Sequence, residues 1–432
     1  DKAVFYQIYT MRFCGAPAEN DGIVVPRIKK AAEWIPYIKG LGISAVYFCP
    51  VFSSDSHGYD TRDYRMIDER LGTNEDFAAV VKKFHENGIK VIIDGVFNHV
   101  GRNFKAFVDV RKNGEASRYK DWFHIDFGGD TAYQDGFYYE GWEGHYELVK
   151  LNTQNEEVMK YLFSCVDMWA DAFGIDGLRL DVAYALPLDF LSALRAHCCE
   201  KCNDFFIIGE TLYDDYGALL ERMDSVTNYQ AYKGLWSSFN TNNMFEIAHT
   251  LKRQTEETIP GAHPMNFLDN HDVSRIASQL CDRALLGVLY SLMFALPGIP
   301  CVYYGSEWGA EGVKEKDGPD DDIRPYFDYP SENELTDLIK KLIIVHKENI
   351  AFTEGGYREL YVTNEQLIFE REAEGQRIIV GINIGGAPAH IDFDTGAAGA
   401  VDIMTGKKYS LEGSADMGPK RAYYWKINDR EV

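Results

Sequence analysis

Up to residue 305, short runs of β-branched and aromatic residues alternate with longer amphipathic stretches. Strands that alternate with helices are typical of parallel βαβ units, so this pattern predicts an α/β fold. An eighth strand near SVTNYQ (225–230) would close a (β/α)8 barrel. Seven runs predict the other strands: VFYQIYTMRF (4–13), SAVYFCPVF (44–52), KVIIDGVFN (90–98), GLRLDVA (177–183), FFIIGETL (205–212), MNFLDN (265–270) and IPCVYYG (299–305).

The stretches between these runs have apolar positions three and four residues apart, which is the helical period. Three examples are IKKAAEWIPYIKGLG (28–42), NEDFAAVVKKFHENG (74–88) and EEVMKYLFSCVDMWADAFG (156–174). Each ends at a glycine, a residue that suits the C-terminal cap of a helix.

Two segments depart from this alternation. Residues 100–152 carry Gly, Asp, Tyr and Trp clusters without a helical period, as in HIDFGGDTAYQDGFYYEGWEGHYE. This predicts an insertion after the third strand, on the face where barrel enzymes build their binding walls. From about residue 356, alternating strands with Gly-rich turns predict an appended all-β module.

The charge balance argues against two classes of partner. Lys and Arg total 44 against 67 for Asp and Glu, a net charge of −23 that would repel phosphate backbones and anionic lipid. No stretch approaches the roughly 20 apolar residues that span a bilayer. We therefore expect neither nucleic acid nor a membrane as a partner, and a neutral ligand fits better.

The eight cysteines are scattered and lack the dense spacing of a secreted disulfide scaffold. This favours reduced thiols in a cytoplasm. Secretion with later removal of a signal peptide is the alternative.

Polar residues stand where the predicted strands run into their following loops. A single such residue has an ordinary explanation as a solvated loop charge or a helix cap. Together, however, they share the one face on which barrel enzymes place their chemistry, which predicts an active site there. They are Asp94, Asn98 and His99 after the third strand, Arg179 and Asp181 on the fourth, Glu210 after the fifth, and Asp269, Asn270, His271 and Asp272 after the seventh.

Three of these carboxylates suit glycosidic cleavage, which needs a nucleophile, a proton donor and stabilisation of an oxocarbenium-like transition state. Asp181 follows Arg179 by two positions on a strand, so the guanidinium can keep this nucleophile ionised. Glu210 ends the apolar run FFIIGE, so desolvation and the charge of Asp181 would raise its pKa, as a proton donor requires. Asp272 is left to bind sugar hydroxyls and strain the ring.

Four segments resemble the signature segments of the α-amylase family of glycoside hydrolases (family 13), in the family's order. They are DGVFNH (94–99), GLRLDVAY (177–184), IIGE (207–210) and FLDNHD (267–272). The resemblance implies a retaining double displacement in which Asp181 is the nucleophile, Glu210 the acid/base and Asp272 the transition-state stabiliser.

The same resemblance implies a domain layout. The catalytic (β/α)8 barrel would comprise residues 1–99 and 153–353, with a small domain, 100–152, inserted after the third strand. Residues 354–432 would form a C-terminal antiparallel β-sandwich.

Further substrate-binding residues follow from the family's motifs. Arg179, His99 and His271 would line the subsite of the attacked sugar. HGYDTRDY (57–64) resembles the stretch after the second strand, which makes Tyr59 a stacking platform with Asp60 beside it. DDIRPYFDY (321–329) resembles a loop after the last strand, which would bring Arg324 to the substrate.

Within the family, ELVKLN (147–152) is most similar to the segment of neopullulanases, cyclomaltodextrinases and maltogenic amylases. This favours short or cyclic α-1,4-linked glucans as substrates. Those enzymes usually carry an additional N-terminal domain that helps form a dimer, whereas here the first strand starts at about residue 4. The chain is therefore either a compact variant or a simpler α-amylase or α-glucosidase, as a monomer or a homodimer.

Other functions are compatible with part of this residue pattern. An α-glucosidase or a transglycosylase, including one that acts on sucrose or on α-1,6 bonds, would have the same catalytic residues. A non-catalytic carbohydrate-binding homologue would lack one or more of the three carboxylates, and all three are present.

No cofactor is expected to be required. Asn98 matches a calcium ligand of the family, but Ala183 and Tyr184 replace a Lys-His pair whose His backbone contributes to that site. Calcium is therefore expected to be optional.

Overall fold

Eight parallel strands, numbered β1 to β8 along the chain, form the centre of the computed structural model. They lie in the order β6-β5-β4-β3-β2-β1-β8-β7, and a parallel bridge between Thr227 and Met265 joins the two ends. The predicted (β/α)8 barrel, including its eighth strand, is confirmed. The strands are β1 Phe5–Ile8, β2 Ala45–Phe48, β3 Lys90–Gly95, β4 Gly177–Leu180, β5 Phe206–Gly209, β6 Ser225–Val226, β7 Met265–Asn266 and β8 Ile299–Tyr303. The structure describes residues 2–212, 215–316, 318, 320–393, 396–397 and 399–427.

Helices surround this sheet and cover it with their apolar faces. In Asn74–Glu86 the buried positions are Phe77, Val80, Val81 and Phe84, the spacing of one helical stripe. The longer helices are Ile35–Leu41, Asn74–Glu86, Glu156–Met168, Leu188–Lys201, Tyr229–Thr241, Met244–Arg253, Leu286–Ala295 and Glu334–Glu348. Shorter ones are Thr10–Phe13, Lys29–Glu33, Tyr216–Leu220, Ile276–Gln279 and Ile350–Thr353.

Several predicted elements are shorter than their sequence runs. The first run ends as a strand at Ile8 and turns into the helix Thr10–Phe13. The second is interrupted by Pro50, which has no N–H to donate to a sheet. Beyond it, Phe52–Ser54 pairs with Thr61–Ile67 in an antiparallel hairpin that carries the segment 57–64.

The insertion after β3 contains an antiparallel sheet of His99–Gly101, Gly141–Trp142 and His145–Lys150. A second pair joins Ile125–Asp126 to Tyr138–Tyr139. The prediction that residues 100–152 lack a helix was wrong, because Lys105–Asn113 is helical. Its buried face is only three residues, Ala106, Phe107 and Val110, too short a stripe to stand out from the flanking Gly-rich sequence.

The C-terminal part is a β-sandwich, as predicted. A six-stranded antiparallel sheet faces a two-stranded pair, and a separate apolar core that includes Ile379, Ile391 and Trp425 lies between them. The strands are Gly356–Val362, Gln366–Ala373, Gln376–Asn383, Ala389–Asp392, Gly399–Asp402, Lys408–Ser410, Ser414–Met417 and Arg421–Ile427. The three domain limits drawn from the sequence stay a prediction.

One buried cation fastens the sandwich to the barrel. The Arg371 guanidinium donates to the carbonyl oxygens of Ala295, Phe352, Gly355 and Gly356 at 2.6, 3.1, 2.7 and 3.0 Å. Ala295 and Phe352 stand at the carboxyl-terminal ends of two helices, where the helix dipole favours a positive charge.

Among the described residues, no helix is long and apolar enough to cross a membrane.

Candidate active site

The acidic side chains and the arginine expected in the site meet at the carboxyl ends of neighbouring strands. In the parallel register Arg179 on β4 is the partner of Asp94 on β3. Asp181 follows β4 directly and Glu210 follows β5 directly, and their backbone N–H groups still bond to the adjacent strands. Because parallel strands end on one face of the barrel, the four side chains come together there.

The Arg179 guanidinium is 3% exposed and lies among three carboxylates. Its Nη1 is 2.7 Å from Asp94 Oδ1 and 2.9 Å from Asp181 Oδ1. Its Nη2 is 2.8 Å from Glu210 Oε1. One positive charge cannot balance three negative ones, so the cluster favours the retention of a proton.

Burial governs the ionisation of this cluster. It raises the pKa of Asp94, Asp181 and Glu210, because the carboxylates lose their hydration, and the positive charge of Arg179 opposes it. The increase in the pKa of Glu210 has the direction expected from the sequence. The expectation for Asp181 was incomplete, because Arg179 is shared with two other carboxylates and burial still raises its pKa well above the ordinary value.

The residue after Asp181 has an unusual backbone conformation. Val182 has φ 46° and ψ 43°, in the left-handed region that β-branched residues rarely adopt. In this conformation its N–H donates to Glu210 Oε2 at 2.8 Å. Glu210 is therefore held at both oxygens, by Arg179 at one and by this backbone group at the other.

Asp272, in the loop after β7, faces the cluster from another part of the barrel. Its Oδ1 is 3.1 Å from Arg324 Nη2 and its Oδ2 is 3.2 Å from His271 Nε2. Burial opposes ionisation here too, but His271 and Arg324 outweigh it and lower the pKa of Asp272. The Arg324 Nε also donates to the carbonyl of His271 at 2.8 Å, which fixes the guanidinium beside the carboxylate.

Tyr59 and His271 form a stacked pair at the base of the site. Their ring centroids are 5.6 Å apart with an interplanar angle of 9°. The Tyr59 hydroxyl donates to Asp94 Oδ2 at 3.0 Å and contacts His271 Nε2, while Gln7 Nε2 lies 2.9 Å from His271 Nδ1. Burial lowers the pKa of His271 to about 3, so the ring is neutral near pH 7.

His99 and Asp60 each present a polar atom that has no hydrogen-bond partner among the described residues. The His99 Nε2 is 3.9 Å from Asp181 Oδ2, and burial lowers the pKa of this histidine to about 3. Asp60 Oδ2 accepts a hydrogen bond from Ser56 at 2.6 Å, while Oδ1 has none. The His99 Nε2 atom is therefore buried beside Asp181 without a hydrogen-bond partner in the described part of the chain.

These residues surround a cleft of about 880 Å³. Three of the predicted substrate-binding residues, Asp60, Arg179 and His271, are buried and do not line the cleft themselves. Each contacts residues that do: Arg179 contacts Asp181 and Glu210, His271 contacts Asp272, and Asp60 contacts Ser56. The other predicted catalytic and substrate-binding residues line the cleft: Tyr59, His99, Asp181, Glu210, Asp272 and Arg324.

Sequence reasoning gave no role to several other groups of the site. Asp94 was noted only as a strand-end carboxylate, although it accepts hydrogen bonds from Arg179, Tyr47 and Tyr59. The Tyr and Trp clusters of the insertion predicted that it forms a wall of the binding cleft, but they did not indicate which residues line it. Four residues of the insertion line the cleft: Trp142, His145, Glu147 and Leu148. Tyr184, Leu212 and Tyr229, which follow β4, β5 and β6, line it as well.

The surroundings of Asn98 do not fit a calcium ion. Its amide Nδ2 is 3.2 Å from His99 Nδ1, and the side chain is buried beside that ring. The described part of the chain has no group of three or more His, Cys, Asp or Glu side chains that could hold a metal ion. A hard cation needs six or more oxygen ligands.

Comparison with known proteins adds independent evidence. Residues 7–353 match the model of the α-amylase catalytic domain. A cyclomaltodextrinase of Geobacillus thermopakistaniensis (strain MAS1) is 31% identical, over 95% of this chain and 74% of the relative. Neopullulanase 2 of Thermoactinomyces vulgaris is 32% identical, over 94% of this chain and 74% of the relative.

Solved structures agree with these relatives. A cyclic α-maltosyl-(1→6)-maltose hydrolase from Arthrobacter globiformis superposes with a TM-score of 0.83 at 26% identity, covering 99% of each chain. A cyclomaltodextrinase superposes with a TM-score of 0.87 at 27% identity, covering 99% of this chain and 78% of the other.

Proposed function

The chain belongs to the α-amylase family of glycoside hydrolases, and on that premise we propose that it cleaves α-1,4-glucosidic bonds by a retaining double displacement. The family makes it an α-amylase-type glycosidase. The proposed substrates are starch-derived malto-oligosaccharides, cyclodextrins or related α-glucans.

One observation in particular supports a retaining mechanism. Asp181 and Glu210 are bonded to the two amino nitrogens of a single guanidinium, that of Arg179. This close pairing suits the retaining geometry, in which the carboxyl groups are about 5–5.5 Å apart, better than the inverting one, which needs about 6.5–9.5 Å for a water.

In the first step Asp181 attacks the anomeric carbon and Glu210 gives its proton to the departing glycosidic oxygen. In the second step Glu210 takes a proton from water, which displaces Asp181 and restores the anomeric configuration. The mechanism requires the proton of the buried cluster to stand on Glu210 when the substrate binds. No step needs a cofactor, and none runs through calcium.

The remaining groups bind the sugar. Tyr59 supplies an aromatic face for the attacked glucosyl unit, and the neutral His99 bonds to a hydroxyl without adding charge. Asp272, ionised and paired with Arg324, binds hydroxyls in the distorted transition state and stabilises its positive charge.

The substrate class follows from the cleft and from the relatives. A cleft of about 880 Å³ with aromatic side chains, in a chain of net charge −23, suits a short neutral glucan. The names cyclomaltodextrinase and neopullulanase favour cyclic maltodextrins and pullulan. An α-glucosidase or a transglycosylase would use the same intermediate with another chain length or acceptor.

A product profile tests the proposal. The protein is incubated with cyclodextrin, maltotriose, pullulan, starch, isomaltose and sucrose, and the products are resolved by chromatography. We expect cyclodextrin and maltotriose to be cleaved, with the anomeric configuration of the first product retained in NMR spectra. Turnover of sucrose alone, no turnover at all, or an inverted product would contradict the proposal.

A further inference from the structure

The positions of the catalytic residues indicate which end of the cleft binds the leaving-group sugar and which end binds the glycone. Because Glu210 protonates the leaving oxygen, the leaving-group sugar lies beyond Glu210, on the side of Leu212, which follows Glu210 by two residues and lines the cleft. The glycone, the part that becomes bonded to Asp181, extends the other way, past Asp272. We call this second part of the cleft the glycone end.

An ion pair lines this part of the cleft. Arg12, in the short helix after β1, is paired through Nη2 with Asp321 Oδ1, in the segment after β8, and both side chains line the cleft. Arg324 Nη2 beside them is 2.8 Å from Asp320 Oδ2, and Lys314 is paired with the same carboxylate. Ion pairs thus run from Asp272 through Arg324 and Asp320 to Lys314, and Asp321 is the residue next to Asp320.

The two segments are also fastened behind this ion pair. Gly15 has φ +69°, and a Cβ on it would lie 2.9 Å from the Tyr326 ring, so only glycine permits this approach. The Lys30 Nζ lies 3.3 Å from the centroid of the Tyr326 ring and bonds to the carbonyl of Phe327. The segments after β1 and β8 therefore hold Arg12 and Asp321 against each other.

We propose that the Arg12–Asp321 ion pair closes the glycone end and limits how many glucosyl units bind on that side of the scissile bond. The side chains of Arg12 and Asp321 are 35% and 53% exposed. An exposed pair contributes only about 0–1 kcal/mol to folding, so its removal leaves the fold intact and opens the cleft. The inference rests on the proposed function, whose glycone and leaving-group sides it uses.

Maltoheptaose with a fluorescent label at its reducing end tests this closure, because the length of the labelled product shows which bond was cut. The protein is expected to cut at one position and to release a short glycone of fixed length. Arg12→Ala and Asp321→Ala are each expected to raise the ratio of long to short glycone products by about tenfold, equivalent to about 1.4 kcal/mol of transition-state binding. The exchanged pair, Arg12→Asp with Asp321→Arg, should restore the short product.

Arg283→Ala is the matched control. It removes an arginine of an exposed ion pair, with Glu311, outside the residues that line the cleft, and should leave the product pattern unchanged. If the unmodified protein cleaves maltoheptaose but the Arg12 and Asp321 variants keep its pattern, the closure is refuted while the proposed function stands. If the unmodified protein cleaves no α-glucan, the proposed function fails.

Discussion

Replacing Asp94 by Asn tests whether the shared guanidinium sets the chemistry of the site. Asp94 is 1% exposed and touches no part of the cleft surface, yet its Oδ1 is 2.7 Å from Arg179 Nη1. Its Oδ2 accepts hydrogen bonds from Tyr47 and Tyr59, both at 3.0 Å. Asparagine preserves the shape and removes one negative charge, so the variant isolates the charge from the packing.

The magnitude follows from the hydrogen bond that is weakened. A bond to a charged group contributes about 1.5–3 kcal/mol and a neutral one about 0.5–1.5 kcal/mol. If this difference of about 1–2 kcal/mol is lost in the transition state because Arg179 moves, kcat/KM falls about 5- to 30-fold. Arg179 keeps Asp181 and Glu210 as partners, which limits the loss.

The dependence of kcat/KM on pH should also shift, and the charge of Asp94 determines the direction of that shift. The negative charge of Asp94 raises the pKa of both Asp181 and Glu210, so its removal lowers both. The acidic limb of kcat/KM, set by ionisation of Asp181, and the basic limb, set by loss of the Glu210 proton, should therefore both move to lower pH. The assay is kcat/KM against pH on an aryl α-maltoside.

Asp176→Asn is the control. This carboxylate lies at the opposite end of β4, where it accepts from the Val91 N–H at 2.8 Å and pairs with Lys90 at 2.7 Å. Its loss should lower stability and leave both limbs in place. If the Asp94→Asn enzyme keeps kcat/KM within about twofold of the unmodified enzyme and neither limb moves, Asp94 does not act on Asp181 and Glu210 through Arg179.

Three further predictions concern other parts of the molecule. Arg371→Met should lower the free energy of unfolding in urea by at least about 3 kcal/mol, because four carbonyls lose a charged donor. Arg283→Met, which removes one side of the exposed Arg283–Glu311 ion pair, should lower it by less than about 1 kcal/mol. Equal losses would contradict this. His99→Gln should lower kcat/KM without moving either limb of the pH profile, since a pKa of about 3 leaves the ring neutral across it; a moved limb would mean that the ring titrates. Tyr59→Phe should raise KM less than Tyr59→Ala, because only the second removes the ring face, and equal effects would exclude stacking.

The fold was predictable because its signals are local. Apolar runs separated by helical periods specify parallel strands, and parallel strands bring their carboxyl ends to one face. Arg179 and Asp181 could be placed together for this reason, as could Glu210 on the next strand. The weak strand Ser225–Val226 was recovered only because a barrel needs an eighth member.

The rest depends on contacts between distant parts of the chain. That Asp94 shares Arg179 is set by the register of β3 against β4, which spacing alone does not give. The left-handed Val182 opposes the local preference of a β-branched residue, and its N–H bonds to Glu210, which follows a different strand. The Arg12–Asp321 pair joins segments that are far apart in sequence and close only in the closed barrel.

The assignment of Asp181 as the nucleophile is tested most directly by trapping the glycosyl-enzyme. A 5-fluoro-α-glucosyl fluoride forms the covalent ester quickly and releases it slowly, so the labelled residue can be found by mass spectrometry of the tryptic peptide Leu180–Arg195. One glycosyl unit is expected on Asp181, and none on the Asp181→Asn variant. A label on Asp189 or on another peptide, or turnover of the reagent without any covalent adduct, would contradict it.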